Sequence, residues 1–489
     1  MDSVATTDQR VLERARVSRD PRFDGRFYIG VMTTGIYCRP ICPANTPRSE
    51  NVRFFPTAAA ASEAGFRPCL RCRPECAPGT PAWAGTSATV RRGLRLIADG
   101  ALDDGDVEGL AARLGVTSRH LRRLFVRHVG ASPLAVAHTQ RLQFAKRLID
   151  ETTLPMKDIS VAAGFGSVRR FNDTFRRVYG KTPRDLRRSG DAARASGSFR
   201  LMLPYRKPYD WDRLLGFYEA RAIPGVEQVV DGHYRRSIRY GDGHGIIDIH
   251  DTGGALSLAV HGLQTESLLA LVQRVRGMFD VDAPIDEIGP VLGRDARLRA
   301  WLKDNPGLRV PGAWDGWELA VRAVLGQQVS VAAATTFAGR VAGRYGDAVS
   351  VDGLDDGPCR LFPAARALAR ARLEHLGIIR SRAQTIRDLA RAVDRGDVSF
   401  DGAQTPEDFR SAFSAIRGIG DWTAEYVAMR ALKNPDAFPA SDLGLLRAFD
   451  ASEGRRLRPR ELLERAENWR PWRAYAALLT WGSDNGAGG

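Results

Sequence analysis

The chain carries two different hydrophobic rhythms in its second half. Ile246-Ile-Asp-Ile-His250 and Leu256-Ser-Leu-Ala-Val260 are short apolar runs of strand length, whereas Ser267–Phe279 is an amphipathic helix. Residues 199–285 therefore read as a small mixed α/β region. Beyond them the pattern is helical. Trp317-Glu-Leu-Ala-Val-Arg-Ala-Val-Leu325 is an apolar helix that Gly326 interrupts ahead of Gln327-Gln328, which suggests a turn facing a substrate. Asp421–Arg430 is a further helix, and the chain then breaks at Pro435 and Pro439. Leu443–Ala451 resumes a helix, with Ser441 or Asp442 as its N-cap.

The first third holds a repeat. Gly109-Leu-Ala-Ala-Arg-Leu-Gly-Val-Thr-Ser118-Arg-His-Leu-Arg-Arg-Leu-Phe125, closed by Gly130-Ala-Ser-Pro133, returns about 50 residues later. The second copy is Ile159-Ser-Val-Ala-Ala-Gly-Phe-Gly-Ser167-Val-Arg-Arg-Phe171-Asn-Asp-Thr-Phe175, closed by Gly180-Lys-Thr-Pro183. A short helix, a glycine turn, a serine cap and an Arg-rich helix make a helix-turn-helix, whose second helix can enter a major groove. Arg119, Arg122, Arg123, Arg169 and Arg170 are placed for phosphates or base edges, while Leu121, Leu124, Phe125, Phe171 and Phe175 form the core. Ala77–Ala88 and residues 189–197 read as linkers, and the Gly-rich end 483–489 as a disordered tail.

Charge sharpens this picture. Residues 1–190 hold 32 Lys+Arg against 18 Asp+Glu, and residues 191–489 hold 40 against 39, so the basic excess sits in the first third. Such an imbalance fits a polyanionic partner, most simply nucleic acid. No apolar run approaches the roughly 20 residues that cross a bilayer, and no signal peptide opens the chain, so no membrane partner and a cytoplasmic location are expected. Thiols stay reduced there.

Four of the six cysteines fall as Cys38-Arg-Pro-Ile-Cys42 and Cys69-Leu-Arg-Cys72. Two close pairs separated by a loop are the ligand pattern of a tetrahedral zinc–thiolate site, so one Zn²⁺ is expected. Cys76 lies near enough to substitute as a ligand, and Cys359 reads as a core residue.

The stretch Gly418-Ile419-Gly420, running into Thr423, is a tight turn between helices. Glycines allow φ > 0 and close backbone approach. The helix start behind them presents unpaired N–H groups and a positive dipole end, a site for phosphate. The competing reading is a helix–helix turn that binds nothing.

Three resemblances follow from these motifs. The hairpin followed by Phe438-Pro-Ala-Ser-Asp442 resembles the helix-hairpin-helix DNA glycosylases, and among them the AlkA type. That likeness implies that Asp442 stabilises the oxocarbenium-like sugar and helps water attack, with no cofactor. Lyase members carry a Lys where this chain has Trp422, so base excision without strand cleavage is implied. It also implies a base pocket of Phe217, Trp422, Tyr426 and Trp481, whose aromatic faces would attract a cationic alkylated base by about 0.5–2 kcal/mol per contact. Trp469 and Trp472 are expected to be packing. Gln327 and Gln328 occupy the turn that meets DNA, Gln328 standing where the family has a gap-filling leucine, and Leu443 stands where it has a tyrosine. The region around Phe27–Ala44, Asn51–Phe55 and Ala64–Pro74 resembles the Ada N-terminal domain, which implies that Cys38 accepts a methyl group from a DNA methylphosphotriester. The helical repeat resembles the AraC-type regulators, which implies promoter DNA and RNA polymerase as partners.

The expected fold is multidomain and mainly α with α+β parts: a small zinc-bound α/β domain over 1–76, an all-α double helix-turn-helix over 89–188, a small α/β domain over 198–285 and an all-α helix-hairpin-helix glycosylase domain over 286–482. The expected function is alkylation repair coupled to transcription activation. The rivals are a regulator with an inactive glycosylase half, and a glycosylase/lyase for another damaged base.

Overall fold

A computed structural model describes residues 8–77, 88–103, 105–187, 198–263, 268–351, 354, 356–453 and 457–484. The expected linkers at 77–88 and 189–197 and the tail at 483–489 fall, apart from end residues, outside the described residues. The chain forms two compact units, residues 1–205 with 263–274, and residues 206–262 with 275–489.

In the first unit, strands β1 (Tyr28–Val31), β2 (Ile36–Cys38), β3 (Val52–Phe55) and β4 (Arg67–Pro68) form a sheet in the order β3-β1-β2-β4. Alternation along β1 sends Tyr28 to one face and Ile29 to the other. Tyr28 packs with Tyr37, Phe55 and the alanines of helix Ala58–Glu63. Ile29 packs with Phe27 and with Leu12 and Ala15 of helix Gln9–Val17. The sheet thus delivers Cys38 at the end of β2, close to the loop that brings Cys69 and Cys72.

The repeat becomes two helix pairs, Val107–Arg113 with Ser118–Val129 and Met156–Ala162 with Val168–Tyr179. Both second helices stop at a left-handed glycine, Gly130 (φ 75°) and Gly180 (φ 67°). Ser132 and Thr182 then cap the helices that begin at Pro133 and Pro183. One expectation shifts: Thr117, not Ser118, caps the first Arg-rich helix, its side chain accepting from the His120 N–H. Ser167 caps the second as expected. The long helix Pro133–Glu151 joins the two pairs and touches the cysteine-bearing module: Lys146 pairs with Asp150 at 2.5 Å, and Arg73 reaches the same carboxylate at 2.7 Å. Strand β5 (Ser198–Pro204) follows, its Met202 N–H donating to Glu151.

The second unit opens with helix Trp211–Glu219 against an antiparallel run in the order β9-β8-β7-β6, where β6 is Glu227–Val230, β7 His233–Tyr240, β8 Gly243–Asp251 and β9 Ala255–His261. Tyr218, Tyr234 and Phe279 meet at ring distances of 5.0–5.6 Å in its core. A buried charge network ties this sheet to helix Gly316–Leu325: Arg236 bonds Glu318 at 2.7 Å, and Arg322 bonds Glu227 at 2.9 Å. Buried ions are tolerable only when fully paired, so the network fixes one register between sheet and helix. Helices Val331–Tyr345, Arg380–Asp394, Pro406–Ser414, Asp421–Arg430, Leu443–Glu453 and Arg473–Asp484 are among those of the helical part. Trp469 and Trp472 are buried packing, Trp469 stacking on Phe449. Cys359 departs from expectation: it is exposed, on a loop whose amide donates to Gly225 O.

Candidate active site and metal centre

Helices Pro406–Ser414 and Asp421–Arg430 meet through the hairpin 415–420. Only one of its glycines uses the left-handed region. Gly418 has φ +94°, and a Cβ there would lie 2.2 Å from Thr385 Oγ1; Gly420 is extended at φ −100° and ψ 177°. The hairpin carbonyls are consumed by the protein itself. Thr385 Oγ1 donates to Arg417 O at 3.0 Å, and Gln327 Nε2 donates to Gly418 O at 2.9 Å and to Thr423 Oγ1 at 3.3 Å. No side chain caps the helix that begins at Asp421, so its first-turn N–H groups remain for an anion.

Two residues expected to meet DNA have side chains turned inward. Thr423 is 2% exposed and its hydroxyl is spent on Gln327, and Ile419 is 5% exposed and anchors the turn from inside. Gln327 is a brace between the Gly326 turn and the hairpin. Gln328 is exposed and carries φ +55°, a strained conformation that an L-residue adopts only under constraint. Arg382 supplies the constraint by donating to Gln327 O.

Asp442 sits beside this hairpin. Its Oδ2 accepts the Trp422 indole N–H at 2.8 Å, while Oδ1 accepts the Trp481 indole N–H at 2.9 Å and the Leu445 backbone N–H at 3.0 Å. The cap role and the site role thus coincide in one carboxylate at a helix N-terminus. Leu443 is exposed and outside the adjoining cavity.

The four aromatic side chains expected around a base come together. Trp422 and Tyr426 stack with centroids 5.1 Å apart and planes 9° off parallel, and Tyr426 meets Trp481 at 6.3 Å. Phe217 and Trp481 line a cavity of about 280 Å³ with Leu214, Arg221, Pro311 and Leu478. The electrostatics differ from the expectation at Phe217, which already holds two of the protein's own cations. The Arg221 guanidinium lies 3.9 Å from its ring centroid and that of Arg430 lies 4.8 Å away. Arg430 also donates to the Tyr426 hydroxyl at 2.6 Å. Burial alone would raise the Tyr426 phenol, but Arg430 and Arg221 outweigh it and hold its pKa below the usual value. Burial lowers Arg221 below the ordinary arginine range. The Phe217 ring face is thus already engaged by guanidinium groups of the protein itself. Sequence reasoning missed both arginines; the i, i+4 spacings Phe217/Arg221 and Tyr426/Arg430 were the available signal.

The thiols of Cys38, Cys42, Cys69 and Cys72 lie with all four sulfur atoms within 4.8 Å of one another. Zn–S bonds of about 2.3 Å in a tetrahedron put sulfurs roughly 3.8 Å apart, so the donor set fits a single zinc ion. The Arg39 N–H donates to Cys72 Sγ at 3.4 Å, and its guanidinium is held by Asp24, which fixes the first loop over the site. Cys38 and Cys42 are half-buried, Cys69 and Cys72 buried. Cys76 lies outside the cluster, with burial raising its thiol. Arg119, Arg122, Arg123, Arg169 and Arg170 are all exposed on the two Arg-rich helices. Among the described residues, no helix is long and apolar enough to cross a membrane.

Four family models match in series: the metal-binding domain of Ada over residues 12–75, a helix-turn-helix domain over 110–189, the AlkA N-terminal domain over 200–315, and the HhH-GPD superfamily base excision DNA repair protein over 321–474. A Mycobacterium tuberculosis (strain ATCC 25618 / H37Rv) protein described as a probable bifunctional transcriptional activator/DNA repair enzyme AlkA is 43% identical over 96% of this chain and 95% of its own length. DNA-3-methyladenine glycosylase 2 of Escherichia coli (strain K12) is 34% identical over 57% of this chain and 95% of its own length. The solved 3-methyladenine DNA-glycosylase from Archaeoglobus fulgidus shares the fold of the second half, with a TM-score of 0.52 and 22% identity over 59% of this chain and 98% of that one. Matched to that mycobacterial relative along almost its full length, the chain belongs to the family of bifunctional proteins that join Ada-type zinc and helix-turn-helix modules to an AlkA-type, helix-hairpin-helix DNA glycosylase.

Proposed function

We propose that the second half removes alkylated purines such as 3-methyladenine from duplex DNA, and that the first half accepts a methyl group from DNA methylphosphotriesters and activates transcription. The observation that carries the reading is Asp442, a carboxylate held by two indole N–H groups beside a glycine hairpin, with one of those indoles, Trp481, lining a cavity together with Phe217.

A base inside the stack cannot be reached, so the nucleotide must be extruded toward this cavity. The hairpin amides hold a phosphate of the same strand while Gln328 occupies the duplex side of the turn. As the C1′–N bond breaks, the cationic base leaves neutral and positive charge develops on the sugar. Asp442, fixed through both oxygens, faces that charge and takes the proton of the water that adds to C1′. The residue following Asp421 is tryptophan, so no amine is available there for a Schiff base, and the product is an abasic site with an intact strand.

In the first half, Cys38 is the half-buried thiol at the end of β2 and serves as acceptor. Bound Zn²⁺, one per quartet, would keep the thiols deprotonated and nucleophilic. The Cys38 sulfur attacks the methyl carbon, the C–O bond breaks, and the phosphodiester leaves as an anion. Methylation removes one negative charge from the quartet, which reduces repulsion from the DNA backbone and strengthens binding by the Arg-rich helices. RNA polymerase is the partner when the bound protein acts as activator.

The test is incubation with randomly methylated duplex DNA carrying labelled methyl groups. Free 3-methyladenine and label on the protein are both expected, label being absent from Cys38→Ser. Absence of freed base would leave a regulator without repair activity, and strand nicking without added alkali would point to a lyase.

A further inference from the structure

The adjacent strands β7 and β8 bring together a second group of metal-ligating side chains, none of them a cysteine. Their register pairs Tyr234 with Ile249 and Arg235 with Asp248. Alternation then puts Tyr234, Ile247 and Ile249 into the core, and His233, Arg235, Asp248 and His250 together on the opposite face. The His233 and His250 rings lie 4.3 Å apart and 32° off parallel. One ligand atom from each of His233, Asp248 and His250 falls within 4.8 Å of the others. We propose that these three residues form a second metal site, selective for a divalent transition ion that favours imidazole, such as Zn²⁺, Co²⁺ or Ni²⁺.

Three features argue for a built site. Asp248 Oδ2 accepts Arg235 Nε at 2.6 Å, which fixes the carboxylate plane and leaves Oδ1 pointing at His233 Nδ1, also at 2.6 Å. An oriented carboxylate whose second oxygen is held by a neighbouring donor is the arrangement that tunes metal ligands. Ser257 stands directly opposite His250 in the β8–β9 pairing, and its hydroxyl is 2% exposed with no hydrogen-bond partner among the described residues. It therefore offers an unspent polar atom on the same face. The site also has an entrance: the His233 side chain is 31% exposed and that of Asp248 is 12% exposed.

Charge decides which ion fits. The Asp248 carboxylate is balanced by Arg235, so the ligand set carries no net negative charge. Hard ions such as Ca²⁺ and Mg²⁺ need several oxygen ligands and gain little here. Two imidazoles with one carboxylate suit borderline transition ions instead. On binding, the ion takes the place of the proton now shared between Asp248 Oδ1 and His233 Nδ1, and that proton leaves to solvent.

The test uses the full-length protein with its cysteine quartet filled with zinc, titrated with Co²⁺. One further ion per chain is expected, giving weak visible bands without the intense near-ultraviolet absorption of a cobalt thiolate. His250→Gln and His233→Asn should each weaken that uptake at least tenfold. Both should keep normal release of 3-methyladenine from methylated DNA, since neither residue belongs to the proposed excision machinery, and retained activity shows that the unit is folded. Binding of no second ion by the unaltered protein, equal binding by a folded variant, or a thiolate spectrum would overturn the proposal. In that event His233–Asp248–Arg235 is a cross-strand hydrogen-bonded row only.

Discussion

Trp422 donates its indole N–H to Asp442 Oδ2 at 2.8 Å, joining the first turn of the hairpin helix to the carboxylate twenty residues later in the chain. The same carboxylate oxygen pair is thus reached by a donor from the hairpin helix, close to where the chain turns into it. Trp481 completes the clamp from the other side at 2.9 Å.

Replacing either indole by a ring without the donor tests that clamp. A hydrogen bond to a charged group contributes about 1.5–3 kcal/mol, so Trp422→Phe and Trp481→Phe should each lower kcat roughly 10- to 100-fold. KM should change little. An unchanged kcat in both variants, measured by single-turnover base release, would remove the orienting role.

Asp442→Asn keeps the shape but loses the charge, and it sets an amide NH₂ against at least one N–H donor. Loss of one electrostatic stabiliser costs on the order of 10²–10³ in rate, and here a general base goes with it, so 3-methyladenine release should fall at least that far. Affinity for an abasic-site duplex should stay within a few-fold of normal. Near-normal release would exclude the catalytic role.

Gly418→Ala combines a left-handed φ with a Cβ placed 2.2 Å from Thr385 Oγ1. A cost of at least about 1–2 kcal/mol is expected from the backbone alone. This should appear as a lower Tm and as weaker DNA binding with a shallower salt dependence, because the phosphate contact is displaced. Adding Thr385→Ala should recover the steric part of the loss, since it removes the Oγ1 and the methyl that crowd the same Cβ.

Asp280 provides a pH test of the second unit. It is buried, accepts from the Val310 N–H and the Tyr475 hydroxyl, and burial pushes its pKa up from 3.8 to about 6, against the opposing pull of Arg309. The folded state therefore holds this proton more tightly than the unfolded chain. Its contribution to stability is full below pH 4 and is lost as pH rises from 4 to 6, by up to about 3 kcal/mol at 1.36 kcal/mol per pKa unit. The stability difference between the unaltered protein and Asp280→Asn, measured by denaturant unfolding, should shift in that sense across this window. A flat difference would show that Asp280 does not titrate there.

Local pattern alone carried much of this architecture. The Gly130-Ala-Ser-Pro133 and Gly180-Lys-Thr-Pro183 stops, the cysteine pairs and Gly418 of the hairpin each encode their conformation within a few residues, through φ preference, capping and ligand spacing. The likeness of Asp442 to an essential family carboxylate was legible for the same reason, because it follows a recognisable proline loop. Other features depend on side chains that meet only after the chain has folded back. Phe217 and Arg430 are far apart in sequence, and nothing local brings this second guanidinium to the ring that Arg221 already covers. Thr423 reads as a surface residue of the hairpin until Gln327 is packed against it, and Cys359 reads as core until its loop lies on the surface. His233 and His250 become neighbours only through strand register, which is set by the alternation of the whole sheet. Short-range stereochemistry thus determined the elements and their chemistry, and long-range packing decided which side chains share a site, because burial and charge pairing are properties of the folded surroundings.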